Sequence, residues 1–450
     1  MTARELARRV LDRVDKGGAW ATLTLDAELA RSGLEERDRR LASELVYGVL
    51  RNRLRIDRAL AAHADLSRSP PKVRTALRVA VYQLLFLDRV PPYAAVDDAV
   101  AAARGVGGQK LAGFANAVLR KVGAAREPPL PAAGPAGEGA GAGAGEIERL
   151  EIEHSLPRWI LDELARSLAA PLSGGAADTP ALADVAAAFG RPAPLVARVN
   201  RRRTTPEALA AELRAAGAAA EPVTGVPSAL RLDGIGDPGK NPAFLAGRWT
   251  VQDAGAQQVA HLAAHLAALR PGMRILDACA GVGGKSTHLA ELADDAAAID
   301  AADQSRTKLS LLEETARRLG LGGVRAHACD LLDPAAPLGT GYDLVVLDAP
   351  CTGLGVLRRH PDAKWRLTPD AVPRLAALQA QLLDAVVPRL APGGALVYAV
   401  CTFTLAEGPA QIAALLERAR PQLRLVSETR TWPPDADAFY IARLVTAGTG

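Results

Sequence analysis

Only four cysteines occur in 450 residues, Cys279, Cys329, Cys351 and Cys401, and no two of them stand in a CxxC pair. No histidines cluster near them, so a Cys/His zinc site is excluded and no metal is expected. The same scarcity excludes the disulfide framework of a small secreted domain. Also missing is any apolar run of about twenty residues, the length a membrane-spanning helix requires. The N-terminus, MTARELARRVLDRVDKGG, is charged where a secretory signal would be apolar, so a soluble cytoplasmic protein is expected. A large excess of one charge is also missing. The 54 Lys and Arg against 50 Asp and Glu leave +4, which alone does not argue for a nucleic-acid partner. Most cations are arginines, some adjacent, as in Arg201-Arg202-Arg203 and Arg358-Arg359, and Arg suits two-point contact with phosphate.

What is present suffices for two or three domains. Residues 1–123 read as an all-α domain. Leu6, Val10, Leu11 and Val14 share one helical face, and Leu41, Leu45, Val49 and Leu50 share another. The stretch VRTALRVAVYQLLFL is apolar nearly all round, as a central bundle helix would be, and Pro91-Pro92 should stop it. Residues 124–146 form a Pro/Gly/Ala linker with nothing to bury, expected to be flexible. Residues 147–250 read as a small α+β domain. It has a helix in HSLPRWILDELARSL, strands in LVARVN, ALRL and WTVQ, and a helix opened by Thr205 and Pro206. From 251 to 450, helices alternate with the strands MRILDAC, AAAIDAAD, VRAHACDL, DLVVLDAP and ALVYAVCT. That alternation predicts an α/β domain with a mostly parallel sheet covered on both faces.

Three motifs sit where such strands end. The turn Asp277-Ala-Cys279-Ala280-Gly281-Val282-Gly283-Gly284-Lys285 leads into a helix whose N-terminus favours an anionic group. It has neither Walker spacing nor the GxGxxG fingerprint. Asp303 follows Asp277 by 26 residues (303 − 277), near the spacing at which a carboxylate grips ribose hydroxyls, and Asp300 competes for that role. Asp330 and Asp348 are read as ending the next two strands. Cys351 and Cys401 also fall at strand ends, where open α/β sheets bind ligands. Two thiols on one rim suggest covalent chemistry on a substrate, although either could be a small buried hydrophobe.

The blocks DACAGVGGKSTHLAEL, VLDAPCTGLGVLRRHPDAKWR and LVYAVCTFTLAEG resemble signatures of the RNA cytosine-C5 methyltransferases, most closely the bacterial Sun/Fmu/RsmB-type 16S ribosomal RNA branch. YGVLRNR, YQLLFLDRVPPYAAVDDAV and GFANAVLRKV resemble that branch's NusB-like N-terminal domain. The resemblance implies a Rossmann-like catalytic domain binding S-adenosylmethionine through Cys279–Lys285, Asp303, Asp330 and Asp348. The landmark Arg318-Leu319-Gly320 favours Asp303 over Asp300 for the ribose. It also implies that Cys401 is the nucleophile and that Cys351 aids product release. Residue chemistry alone does not say which thiol attacks. Lys285 could favour the thiolate, and Asp348 could bond the base edge. Arg358, Arg359, Lys364 and Trp365 supply cations and an aromatic for RNA. The implied partner is small-subunit ribosomal RNA before full assembly, acted on by a monomer. The same chemistry on transfer RNA, or an idle RNA-binding assembly factor, are the alternatives. Three positions depart from the family pattern: Gly281-Val282 for Ala-Pro, Val400 for Thr, and Gly408 for Asn.

Overall fold

Thr2 accepts the backbone N–H of Glu5 while the Glu5 carboxylate accepts that of Thr2, a capping box that starts α1 (Ala3–Gly17). It opens a computed structural model that describes residues 1–132, 144–172, 179–419 and 423–447. Two compact units form. One comprises Met1–Ala165, Ala181–Pro192 and Leu357–Leu367; the other comprises Arg166–Pro180, Ala193–Val356 and Thr368–Gly450.

The first unit is helical. After α1 come α2 (Ala21–Ser32), α3 (Glu36–Arg51), α4 (Arg53–Ala61), α5 (Pro71–Phe86) and α6 (Pro92–Ala125). The predicted faces of α1 and α3 are buried, with Leu41 at the margin, and α5 is buried on most sides. Gly48 on α3 admits the ring of Tyr82, because a Cβ there would lie 2.0 Å from that ring. Gly107 and Gly108 leave helical geometry and kink α6. Of the expected linker, residues 133–143 lie outside the described residues. Its start is tied down: Arg55 holds the Glu127 carboxylate, and Arg58 donates to the Pro128 and Pro129 carbonyls at 3.0 and 2.6 Å. Helix α7 (Ala144–Glu153) begins within its end, followed by α8 (Arg158–Ala169) and α9 (Leu182–Phe189).

The second unit holds two sheets. β1 (Leu195–Val199), β2 (Ala219–Pro222), β3 (Ala229–Asp233) and β4 (Trp249–Val251) pair antiparallel in the order β2-β3-β1-β4. Their core gathers Ala197, Val199, Leu230, Leu232 and Trp249 with Leu209 and Leu213 of α10 (Pro206–Ala215), which Thr205 caps as predicted. The short α11 (Pro242–Leu245) precedes β4. Strand β2 has no apolar pattern to announce it, since three of its four residues are exposed at the sheet edge.

Then come α12 (Ala254–Ala267), β5 (Arg274–Asp277), α13 (Gly284–Leu292), β6 (Ala298–Asp303), α14 (Arg306–Leu319), β7 (Val324–Ala328) and β8 (Tyr342–Asp348). The chain continues through α15 (Ala363–Arg366, in the helical unit), α16 (Ala371–Val386), β9 (Leu390–Val400), α17 (Pro409–Ala419), β10 (Leu423–Thr431) and β11 (Phe439–Thr446). The large sheet runs β10-β11-β9-β8-β5-β6-β7, parallel from β9 to β7, with β11 and β10 added antiparallel at one edge. All five strands read from the sequence form; β10 and β11 are additions to that reading. Chain order reverses at β5, so the crevice beyond its carboxyl end is the expected ligand site. Among the described residues no helix is long and apolar enough to cross a membrane.

Candidate active site

The turn after β5 is fixed by its glycines. Gly283 has φ +82°, and a Cβ there would lie 2.3 Å from the Leu312 side chain. Gly281, at φ +56°, donates its N–H to the Asp303 carboxylate at 3.0 Å, and Ser305 donates to the other oxygen at 2.8 Å. Val282 projects into solvent at the tip. The Gly281-Val282 departure therefore leaves a loop anchored through Asp303. Asp277 lies inside rather than on the rim: fully buried, it accepts the Ser286 hydroxyl at 2.6 Å, and burial lifts its pKa to about 6.

Asp300 is held in the sheet by His327 and the Tyr342 hydroxyl, each at 2.8 Å, while Asp303 stands at the loop. Asp330 lies two residues beyond β7 rather than at its end, accepting the Leu332 N–H at 2.9 Å. Cys279, Asp303 and Asp330 line one cavity of about 250 Å³, whose apolar walls include Leu331, Leu378 and Leu382. Burial raises the pKa of the Cys279 and Cys329 thiols, which makes both poor nucleophiles.

A residue that the sequence reading passed over holds the helix behind this loop. Arg198, in β1, is fully buried; it bonds both Glu291 oxygens at 3.0 and 2.9 Å, and Gln252 and the Gly284 carbonyl at 2.7 Å each. An Arg inside the apolar run LVARVN was the available signal, since a buried guanidinium must be paired. Of the Arg201–Arg203 run expected to suit phosphate, Arg202 and Arg203 donate to the Gly320 and Ala246 carbonyls. Arg318 donates to the Phe244 and Trp249 carbonyls and lies 3.8 Å from the Phe244 ring centre.

The thiols meet because β8 and β9 are parallel neighbours, with Asp348 in register with Ala399. Cys351 follows the end of β8 by three residues and Cys401 follows β9 directly, which brings the sulfurs to 3.4 Å. Glu407, noticed in the sequence only as the neighbour of Gly408, ties the two loops together. Its buried carboxylate accepts the Thr352 N–H (2.8 Å) and the hydroxyls of Thr352 (2.6 Å) and Thr404 (2.8 Å). Thr352 also meets Thr402 at 2.9 Å.

The charges are arranged unequally. The hydrogen bond with Cys401, burial and the Glu407 carboxylate all hold the Cys351 thiol well above its usual range. Burial would depress the Lys285 ammonium, but its bond to Asp348 outweighs this and raises it, and Cys401 lies within its electrostatic reach. A carboxylate thus borders one sulfur and an ammonium the other. Val400 is fully buried in β9. At Gly408 a Cβ would come within 3.0 Å of the Tyr440 ring, so Tyr440 occupies the room a larger residue would need.

The segment expected to touch RNA is mostly turned inward. Lys364 is 1% exposed and donates to the Arg51 carbonyl at 3.1 Å, and Arg358 is 3% exposed. Trp365 gives its indole N–H to the Leu50 carbonyl at 2.7 Å and packs on the helical core. Arg359 is half-buried. In this structure Lys364 and Trp365 are packing residues, because their polar ends are used inside the helical unit.

Comparison with known proteins agrees along the whole chain. Residues 264–445 match the family model described as 16S rRNA methyltransferase RsmB/F, residues 1–124 the NusB family, and residues 178–237 the ferredoxin-like domain of RsmF/B-like methyltransferases. The ribosomal RNA small subunit methyltransferase B of Pseudomonas putida is 35% identical over 99% of this chain and 98% of its own length. The probable ribosomal RNA small subunit methyltransferase B of Synechocystis is 34% identical over 93% of this chain and 89% of its own. The crystal structure of PH0851 shares the fold, with a TM-score of 0.76 at 24% identity, over 98% of this chain and 97% of that one.

Proposed function

Because the chain belongs to the RsmB/F family of 16S rRNA methyltransferases, we propose that it methylates C5 of a 16S cytidine from S-adenosylmethionine, through a covalent bond between Cys401 and C6. The observation that carries the roles of the thiols is the unequal charge around them. Two thiols 3.4 Å apart cannot both ionise cheaply, and the hydrogen bond with Cys401, burial and, after them, the Glu407 carboxylate hold the proton on Cys351.

The cavity beside the Gly-rich loop fits the cofactor's chemistry. Leu331, Leu378 and Leu382 offer an apolar wall for a purine, and Asp303 and Asp330 offer carboxylates for hydroxyls. Ala278 and Cys279 line that space at the start of the loop, and Lys285, paired with Asp348, lies within electrostatic reach of Cys401. Bound there, S-adenosylmethionine supplies an electrophilic methyl group. The protein must supply the activated carbon. The Cys401 thiolate adds to C6, the electron pair of the C5–C6 double bond becomes available at C5, and C5 would take the methyl as the sulfonium–methyl bond breaks and its electron pair stays on the departing neutral sulfur. Asp348, held by Lys285, bonds the polar edge of the ring and steadies its charge. Once the Cys401 sulfur is bonded to carbon it no longer opposes ionisation of Cys351, whose proton passes to solvent. The resulting Cys351 thiolate accepts the C5 proton as the Cys401–C6 bond breaks, the C5–C6 double bond returns and Cys401 leaves as thiolate. Since a ring atom must be reached, the cytidine leaves its stack, which suits ribosomal RNA before full assembly.

In the proposed division of labour residues 1–123 grip RNA and 251–450 carry the chemistry. Of the segment 147–250 read as one small domain, 147–165 and 181–192 belong to the helical unit, and the sheet-forming part from Ala193 onward braces the catalytic domain through Arg198. Bisulfite sequencing of 16S ribosomal RNA with and without the gene tests this reading. One 16S cytidine should lose its protection in the deletion; loss at a transfer RNA position instead would move the substrate, and no loss anywhere would refute the activity.

A further inference from the structure

With Arg358 and Lys364 turned inward, RNA contact by the helical unit must be sought elsewhere on it. Two adjoining cavities of about 560 and 340 Å³ share Asp12 and Lys16 as walls. Arg8, Arg9, Arg13, Lys16 and Lys72 border the first; Arg53, Arg74, Arg78 and Arg366 border the second. Internal carboxylates neutralise some of these cations: Arg8 pairs with Asp98, Arg53 with Asp15, and Arg78 with Asp57. A positive surplus remains. Arg9 and Arg13 share one carboxylate, Glu28, at 3.2 and 2.9 Å. Lys16 and Lys72 are exposed, and neither they nor Arg74 forms an ion pair among the described residues. Arg53 has its pKa lowered by burial and then by the charge of Arg78, as expected where cations crowd.

An exposed aromatic lies beside the cavities. Trp20 follows Ala19, which lines the first, and stacks against Arg366, which lines the second, at 3.9 Å. It is 51% exposed, unusual for the largest apolar side chain, and Arg366 covers one face. We propose that this trough binds a single-stranded stretch of the RNA substrate, with phosphates at Lys16, Lys72 and Arg74 and a base stacked on Trp20. Unpaired cations in a groove track a phosphate backbone, and an exposed indole takes an unstacked base of any sequence. The inference rests on the reading that the substrate is RNA.

Binding of full-length protein to a protein-free 16S transcript, measured from about 50 to 300 mM salt, tests it. Reversing charge at Lys16→Glu, Lys72→Glu and Arg74→Glu together should weaken binding at least ~30-fold and reduce the salt slope by about two to three. Trp20→Ala should weaken binding roughly 5- to 100-fold and leave the slope unchanged. An unchanged helical circular-dichroism signal and unchanged hydrogen-exchange protection in α1 and α5 show that the helical unit of each variant is folded. Wild-type affinity and slope in both variants would overturn the proposal and leave the trough to an acidic protein segment. Failure of the methylation reading would look different: wild type would bind the transcript and transfer no methyl.

Discussion

Lys285 and Lys364 are both buried, 9% and 1% exposed, and both lie in motif blocks that read as ligand contacts. Their surroundings set them apart. Lys285 bonds Asp348, which outweighs the cost of burial and keeps the amine charged beside the thiols. Lys364 has only the Arg51 carbonyl at 3.1 Å and the Trp365 ring at 5.5 Å, and no carboxylate bonds it among the described residues. Burial and the Arg51 guanidinium push its pKa down to about 7. What a buried cation does is decided by its partner, and the partner comes from a distant part of the chain: residue 348 for one lysine, residue 51 for the other.

The sharpest test replaces each lysine with methionine. Lys285→Met should cut the methyl-transfer turnover by ~10²-fold or more, since it removes the charge nearest the reacting groups. Lys364→Met should leave turnover within about threefold, as expected for a residue remote from the chemistry. Equal losses in a tritiated-methyl assay would erase the distinction. Next in size is Glu407→Gln, which keeps the volume but spoils an acceptor of four hydrogen bonds. It should cost about 1–3 kcal/mol of stability and lower turnover more than cofactor affinity, because it loosens the thiol loops rather than the cofactor cavity. Calorimetry and steady-state kinetics on one preparation check both effects.

The paired aspartates sharpen the same contrast. Asp303→Ala should weaken S-adenosylmethionine binding by roughly 1–3 kcal/mol, whereas Asp300→Ala should spare affinity and lower stability, having lost His327 and Tyr342. The reverse pattern in titration calorimetry would exchange their roles. The smallest effect concerns pH. The Lys364 amine titrates near 10.5 unfolded and about 7 folded, so between these values the unfolded chain binds more protons and stability rises with pH. Lys285 has the opposite sign: its raised folded pKa favours folding below about 10.5, and that contribution fades at higher pH. Hydrogen exchange in α3 of the full chain should therefore slow from pH 7 towards 10 after correction for intrinsic rates. Lys364→Met should flatten that trend and gain on the order of 1–3 kcal/mol at pH 7.

Strands β5, β6, β8 and β9 were legible because each holds a short apolar run ending in a small or acidic residue, while β7, a half-exposed edge strand, was legible from its place in the alternation of helices and strands. Strand β10 lies at the far edge of the sheet, where LRLVSETRT mixes charge with apolar residues and gives no continuous run, whereas β11, FYIARLVT, is a largely buried apolar run that the reading left unassigned. The strand-end thiols and Asp303 could be read as candidates from local context. The 3.4 Å between the sulfurs depends on β8 and β9 being neighbours, and the clamps of Glu407 and Arg198 on partners 55 and 93 residues away. Local pattern carries no such information. It misled at Arg358, Lys364 and Trp365 for the same reason: a cation beside an aromatic looks alike whether it faces solvent or the core.

The central claim is that the unequal charges make Cys401 the attacking thiol and leave Cys351 to take the proton. Denaturing gels of Cys351→Ala and Cys401→Ala, each mixed with target RNA and S-adenosylmethionine, test it directly. Cys351→Ala should still attack but release poorly, so a denaturant-resistant protein–RNA complex should accumulate, while Cys401→Ala should form none. A complex trapped by Cys401→Ala and absent with Cys351→Ala would contradict the account and exchange the two roles.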